Sequence, residues 1–135
     1  MAYWLIKTHP TDYSFDDLER VKSAVWDGVS NNTALMHIRA MRKGDGVLIY
    51  HSEPEKSVVA RAAIVSDPYP DPKAGNKKLV VVDIAPAGRL ARPVPLDAIK
   101  KDKAFASFDL VRISRLSVMP VPAPMWKKLL LMANE

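Results

Sequence analysis

The sequence predicts an α+β fold, a mixed and mostly antiparallel β-sheet or small barrel with short helices packed around it. Roughly five to seven short apolar or β-branched runs recur along the chain, set apart by Pro, Gly, Asn and Asp. About four helical patterns fall between them, all short. The connections are too short for repeated helical crossovers, which argues against an all-parallel sheet. With 135 residues and no repeat, linker or low-complexity tract, residues 1–135 are expected to form a single domain.

The first strand is Tyr3-Trp4-Leu5-Ile6, aromatic and β-branched, ending at Lys7-Thr8-His9-Pro10. Ser14 caps a short helix, with Asp17 three residues on as a weak capping-box acid and Leu18 and Val21 as its apolar face. Trp26-Asp27-Gly28-Val29 reads as a loop. Asn31 or Asn32 caps the next helix. Ala34, Leu35, Ile38 and Met41 form its stripe, Arg39, Arg42 and Lys43 complement its dipole, and Gly44 is expected to end it. Val47 to Tyr50 is an unbroken apolar run, as in a strand buried on both faces, and His51 and Ser52 follow it.

Glu53 to Lys56 is a turn, and Val58 to Val65 a strand. Three prolines within Ser66–Pro72 exclude a helix or central strand there. Lys73 to Lys78 is a basic loop. Leu79 to Ile84 is a strand, Pro86 to Pro95 a turn with a short edge strand, and Leu96 to Lys101 a short helix. Phe108 to Ile113 alternates and is expected to be a strand. Leu116 to Val121 is extended, and Pro124 opens a last helix holding Trp126, Leu129, Leu130 and Met132.

Composition narrows the function classes. The chain is 48% hydrophobic and 26% charged, as a packed soluble domain is. It has no cysteine, which removes disulfides and thiolate metal sites and favours a reducing, cytoplasmic location. No apolar run approaches the ~20 residues of a membrane span, and no signal peptide is visible, so no membrane partner is expected. The net charge of +5 suits a polyanionic partner, including one in a nucleoid.

Enzyme signatures are absent. There is no Gly-rich phosphate loop or dinucleotide fingerprint. His9, His37 and His51 do not fall at zinc-ligand spacing, so no metal and no cofactor are expected. His51 and Ser52 are adjacent on a strand and point to opposite faces, a poor arrangement for a base and its nucleophile. No catalytic residue is assigned. Trp26 has two readings, core residue or ligand platform, and the residue pattern alone leaves both open.

Several blocks in order carry a resemblance: Trp4-Leu5-Ile6-Lys7, Ser14, Trp26-Asp27-Gly28-Val29-Ser30-Asn31, Met41, Gly44-Asp45, Tyr50-His51-Ser52, Tyr69-Pro70-Asp71, Val82-Asp83 and Arg115-Leu116-Ser117-Val118. Together they resemble the EVE domain, a PUA-like family related to the YTH and ASCH domains. The match covers nearly the whole chain, and the Trp-Asp-Gly-Val-x-Asn and Tyr-His-Ser blocks are its specific parts. The resemblance implies a PUA-like mixed β-barrel with a pocket in its side. It also implies a non-catalytic nucleic-acid partner whose modified base, chiefly cytosine in DNA or a base in RNA, is held in an aromatic pocket.

Carried onto this chain, the resemblance implies a stacking platform at Trp26 and base-edge contacts from Lys7, Thr8, Asn31 and Ser52. Val29 or Pro70 would meet a methyl group. Ser14, Tyr50, His51, Tyr69 and Leu79 complete the expected ligand set by motif position. The chain departs from the family's usual pattern at Ser30, where Arg is common, at Leu79, where many relatives have Trp, and at Thr8-His9 in place of Ser-Glu. Of the basic residues near these blocks (Lys7, Arg39, Arg42, Lys73, Lys77 and Lys78), the loop lysines Lys73, Lys77 and Lys78 are the preferred phosphate rim. The alternatives are a binder of a free nucleoside-like ligand and, behind it, a nuclease or hydrolase.

Overall fold

β1 (Tyr3–Thr8) is an interior strand because partners flank it on both sides. It runs parallel to β3 (Gly46–His51) and antiparallel to β7 (Val118–Pro120), with Leu5 opposite both Leu48 and Met119. Trp4, Leu5 and Ile6 are buried accordingly. The structure, a computed structural model, describes residues 1–75 and 78–135.

β4 (Ser57–Ile64) pairs antiparallel with β3, and β6 (Val80–Pro95) pairs antiparallel with β4. Short β2 (Ala24–Trp26) lies along the other side of β6, and two-residue β5 (Tyr69–Pro70) also pairs with β6. Among the described residues the order is therefore β2-β6-β4-β3-β1-β7, with β1–β3 parallel and the other pairings antiparallel. The sheet curls into a half-barrel with short helices around it, the PUA-like arrangement.

Three elements differ from expectation. Pro86 to Pro95 is not a turn but the second half of β6. Its Gly, Pro and Arg residues sit where the register against β4 shifts, and Gly88 takes φ 131°, so the strand bends without stopping. Phe108 to Ile113 is not a strand. Beyond α3 (Leu96–Lys101), Asp109–Arg112 is a one-turn helix, α4, whose flanking Phe108 and included Leu110 are buried. Trp26 belongs to the edge strand β2 and only Asp27 onward is loop.

Helix ends follow local chemistry. In α1 (Phe15–Val21), the Ser14 hydroxyl accepts from Asp17 N–H while the Asp17 carboxylate accepts from Ser14 N–H, a full capping box. Ser14→Ala is expected to cost about 1 kcal/mol, read as a lower thermal midpoint with an unchanged circular-dichroism spectrum at low temperature. Asn31 caps α2 (Asn32–Ala40), accepting from Ala34 N–H at 3.0 Å. That helix ends before Gly44. Met41, its side chain fully buried, is already extended, and Gly44, at φ 98°, serves the turn that follows.

That turn is built on Asp45. Its buried carboxylate accepts from Trp4 Nε1–H at 3.0 Å, Arg42 N–H at 2.9 Å and Ala2 N–H at 3.1 Å. The start of β1 and the end of α2 are thereby fixed to the start of β3. Nearby, the Tyr3 and Trp126 rings stack at 4.3 Å over Gly46, where an added Cβ would meet the indole at 3.0 Å. Trp126 belongs to α5 (Ala123–Met132), so this close approach seats the last helix on the barrel.

Candidate functional site

A concavity of about 610 Å3 opens between the end of β1 and the edge strand β2. One wall is Lys7, Thr8 and His9, with Asp12 and Tyr13 from the loop before α1. The other is Ala24 to Asn31, and Ser117 closes the side towards β7. The sequence puts these groups here for three local reasons. Pro10 turns the chain away from β1. Thr8 Oγ1 donates to Tyr13 O at 2.6 Å and folds the loop back beside the strand end. Gly28, at φ 77°, lets the chain turn between Trp26 and the cap of α2.

Trp26 is half-buried, and Tyr13 meets it edge to face with centroids 5.9 Å apart and planes at 76°. The two rings make an aromatic corner. Tyr13 Oη is buried and makes no hydrogen bond among the described residues. Burial, and then the nearby Asp17 carboxylate, push this phenol's pKa up. Lys7 Nζ donates to Ser114 O at 2.8 Å and lies 5.7 Å from the Tyr50 ring centroid. Partial burial lowers its pKa. Asn31 spends its carbonyl oxygen on the helix cap, so its amide N–H groups remain to donate outward. Asp12 and Asp27 bring carboxylates to opposite sides.

Five of the expected ligand residues therefore share the concavity: Lys7, Thr8, Trp26, Val29 and Asn31. The others do not line it. Ser14 is occupied by its capping box. Tyr50 is buried in β3 under the Lys7 amine. His51 is turned inward, its Nε2 accepting from Phe15 N–H at 3.1 Å, which puts the ring proton on Nδ1, 3.0 Å from Glu55 Oε1. Both ring nitrogens are thus engaged in tying α1 and the β3–β4 turn to the barrel. Ser52 is held through its N–H to Thr8 O, and Leu79 through its carbonyl to Asp71 N–H.

Tyr69 and Pro70 line a second, shallower cavity of about 440 Å3 with Arg39, Arg42, Asp67, Pro68 and Val80. Tyr69 Oη donates to Asp83 Oδ1 at 2.6 Å, and that hydrogen bond, with burial, pushes its pKa up to about 12. Lys73 and Lys78 are exposed on the β5–β6 loop and do not line the first concavity, and Lys77 lies outside the described residues. His9 lies in the loop after β1, His37 on α2 and His51 on β3, and among the described residues no three His, Asp or Glu groups come together as a metal site. No helix among those residues is long and apolar enough to cross a membrane.

Sequence reasoning missed Tyr13, Asp12, Asp27 and Ser117. Asp27 and Ser117 stood inside quoted motif blocks, a signal that could have been used. Tyr13 had none, because its place depends on the Thr8 hydroxyl across a loop.

The EVE domain family model matches residues 2–132. Mouse thymocyte nuclear protein 1 is 29% identical over 153 aligned positions, covering 88% of this chain and 68% of the mouse protein. A Rhodopseudomonas palustris protein solved by NMR is 40% identical, with a TM-score of 0.94 over 99% of this chain and 94% of that one. Human THYN1, solved in complex with DNA containing 5-methylcytosine, is 25% identical, with a TM-score of 0.89 over 100% of this chain and 99% of the human one. With a family match across nearly its whole length and the fold of the two solved structures, the chain belongs to the EVE domain family.

Proposed function

We propose that this domain binds a modified base in nucleic acid, with modified cytosine in DNA as the leading ligand, and does so without turnover. The observation that carries the reading is the Trp26–Tyr13 corner at the mouth of the concavity. A base needs a π-face, and stacking on an aromatic ring is worth roughly 1–3 kcal/mol. Around that corner stand donors on Lys7 and Asn31 and acceptors on Asp12 and Asp27. Cytosine's edge offers an amino donor, which carboxylates accept, and ring acceptors, which an amide or ammonium satisfies. Val29 offers a small apolar contact for a methyl group. The human relative's complex with 5-methylcytosine DNA points the same way.

Turnover is disfavoured by the disposition of the polar groups. His51 is committed to Phe15 and Glu55; His9 lines the concavity, but its Nδ1 is paired with the Thr11 hydroxyl at 2.6 Å and the Thr8 hydroxyl is spent on Tyr13 O.

The test is binding of single- and double-stranded DNA and RNA, with and without 5-methylcytosine, at about 50 and 200 mM salt. The expected result is tighter binding of the modified strand and a steep loss of affinity with salt. Equal binding of modified and unmodified strands would overturn the reader assignment. Tight, salt-insensitive binding of free 5-methyl-2'-deoxycytidine with no gain from a polymer would establish the free-nucleoside alternative instead.

A further inference from the structure

We propose that the second cavity, at the C-terminal end of α2, is a phosphate-binding site that holds the backbone of the same strand a few nucleotides from the base in the first concavity. It rests on the reading of that concavity as a base pocket and adds a separate contact to it.

Two arginines define the site. Arg39 lies in the last turn of α2 and Arg42 just beyond it, and both are exposed. Among the described residues neither forms an ion pair. Each is instead anchored to main-chain carbonyls. Arg39 Nη2 donates to Lys78 O at 2.6 Å, and Arg42 Nη1 donates to Met41 O at 2.6 Å and to Arg39 O at 2.9 Å. A guanidinium has five N–H donors in a rigid fork, so most remain for a ligand. The side chains are already held in place, which lowers the ordering cost of binding. Carbonyl anchoring offsets the charge only with the partial negative charge of carbonyl oxygens, those of the helix end included, and no carboxylate neutralises either guanidinium by an ion pair among the described residues.

The rest of the lining is rigid. Tyr69 is fixed by its hydrogen bond to Asp83, and Pro68 and Pro70 flank it. One carboxylate, Asp67, is present, and its Oδ1 accepts from Lys43 N–H at 3.0 Å. Two guanidinium groups against one carboxylate leave the cavity cationic. Planar, bidentate recognition of phosphate is the chemistry arginine serves best.

Spacing connects the two cavities. Asn31, the N-cap of α2, lines the first, and Arg39 lines the second. Eight residues of helix separate them by roughly 12 Å. One strand of B-DNA carries a phosphate about every 3.4 Å of axis, so this span corresponds to about three to four phosphates. α2 has no acidic residue, and its exposed residues between the cavities are Asn32, Thr33 and Met36. No carboxylate on the helix opposes a backbone crossing it.

The experiment measures binding of 5-methylcytosine DNA and free 5-methyl-2'-deoxycytidine to wild type and to Arg39→Gln/Arg42→Gln over a range of salt. For the double variant, the slope of log K against log salt should fall by about 1.4 on single strands and 1.8 on duplex. Modified and unmodified strands should weaken by the same factor, and nucleoside binding should not change. Arg39→Lys/Arg42→Lys keeps the charge and should keep most of the slope. If the double Gln variant melts, the single variants carry the same test, each lowering the slope by about half as much. The loss should appear only with oligonucleotides reaching at least about four phosphates from the modified base. An unchanged slope in a folded Gln variant overturns the phosphate site and leaves the base pocket standing. A lowered slope in a protein that does not discriminate modified from unmodified DNA overturns the reader assignment and leaves the phosphate site standing. Wild type that binds no DNA overturns both.

Discussion

Trp26→Ala is expected to weaken binding of a modified-base oligonucleotide by roughly 1–3 kcal/mol, about five- to 150-fold, while the domain stays folded. The stacking face is lost, and with it the edge-to-face contact to Tyr13, a pair worth about 0.5–1.5 kcal/mol beyond area burial. The stability cost should fall below the roughly 3–5 kcal/mol typical of a fully buried aromatic, because the ring is half-buried at a sheet edge. The backbone pairing of residue 26 with Val82 does not depend on the side chain. Thermal melting and affinity should be read on one preparation. A folded variant with wild-type affinity would remove Trp26 from the binding surface. A variant that unfolds moves the test to Asn31→Ala, which removes the amide donors at the cost of a helix cap, about 1 kcal/mol.

Asp45→Ala should have the largest effect on stability, about 3–5 kcal/mol, or roughly 10–20 °C in midpoint. Three buried or half-buried donors lose their acceptor together: the Trp4 indole, Arg42 N–H and Ala2 N–H. Burial by itself raises this carboxyl's pKa, but the Trp4, Ala2 and Arg42 hydrogen bonds, with the amino terminus, outweigh it and hold the pKa below the ordinary value. A carboxyl depressed in the folded state contributes stability above its unfolded pKa of about 3.9. That contribution is lost as pH falls through the folded pKa. Asp45→Asn should therefore flatten the acid limb of the stability–pH curve below about pH 4, and an acid limb identical to wild type would refute this role.

Legibility in the sequence tracked the range of the interaction. The caps at Ser14 and Asn31 were readable because donor and acceptor lie three residues apart. The buried run Val47 to Tyr50 was readable because a strand covered on both faces needs no alternation. β6 was misread at Pro86 to Pro95, since residues that break isolated strands are tolerated where the register against β4 shifts. Phe108 and Leu110 alternate as in a strand, but Phe108 is the N-cap residue outside a four-residue turn, too short a helix for its own period to show. In the site, motif position gathered Lys7, Trp26 and Asn31, which share one concavity, together with His51, whose ring nitrogens hold Phe15 and Glu55 outside it. Tyr13 was invisible because a hydrogen bond across a loop, rather than a pattern, places it.

The placement of β1 between β3 and β7 has a kinetic side. Lys7 N–H bonds to Ser117 O, and Trp4, Leu5 and Ile6 face Pro120, Met119 and Val118, so the earliest strand finds one of its partners more than a hundred residues later. Such high contact order predicts slow folding, in the millisecond-to-second range typical of barrels with non-local pairing. During synthesis the outer edge of β1 stays open until β7 leaves the ribosome, and an open apolar edge is a template for intermolecular pairing. The concavity, whose Lys7 and Ser117 walls meet across that last seam, is then among the final features of the molecule to form.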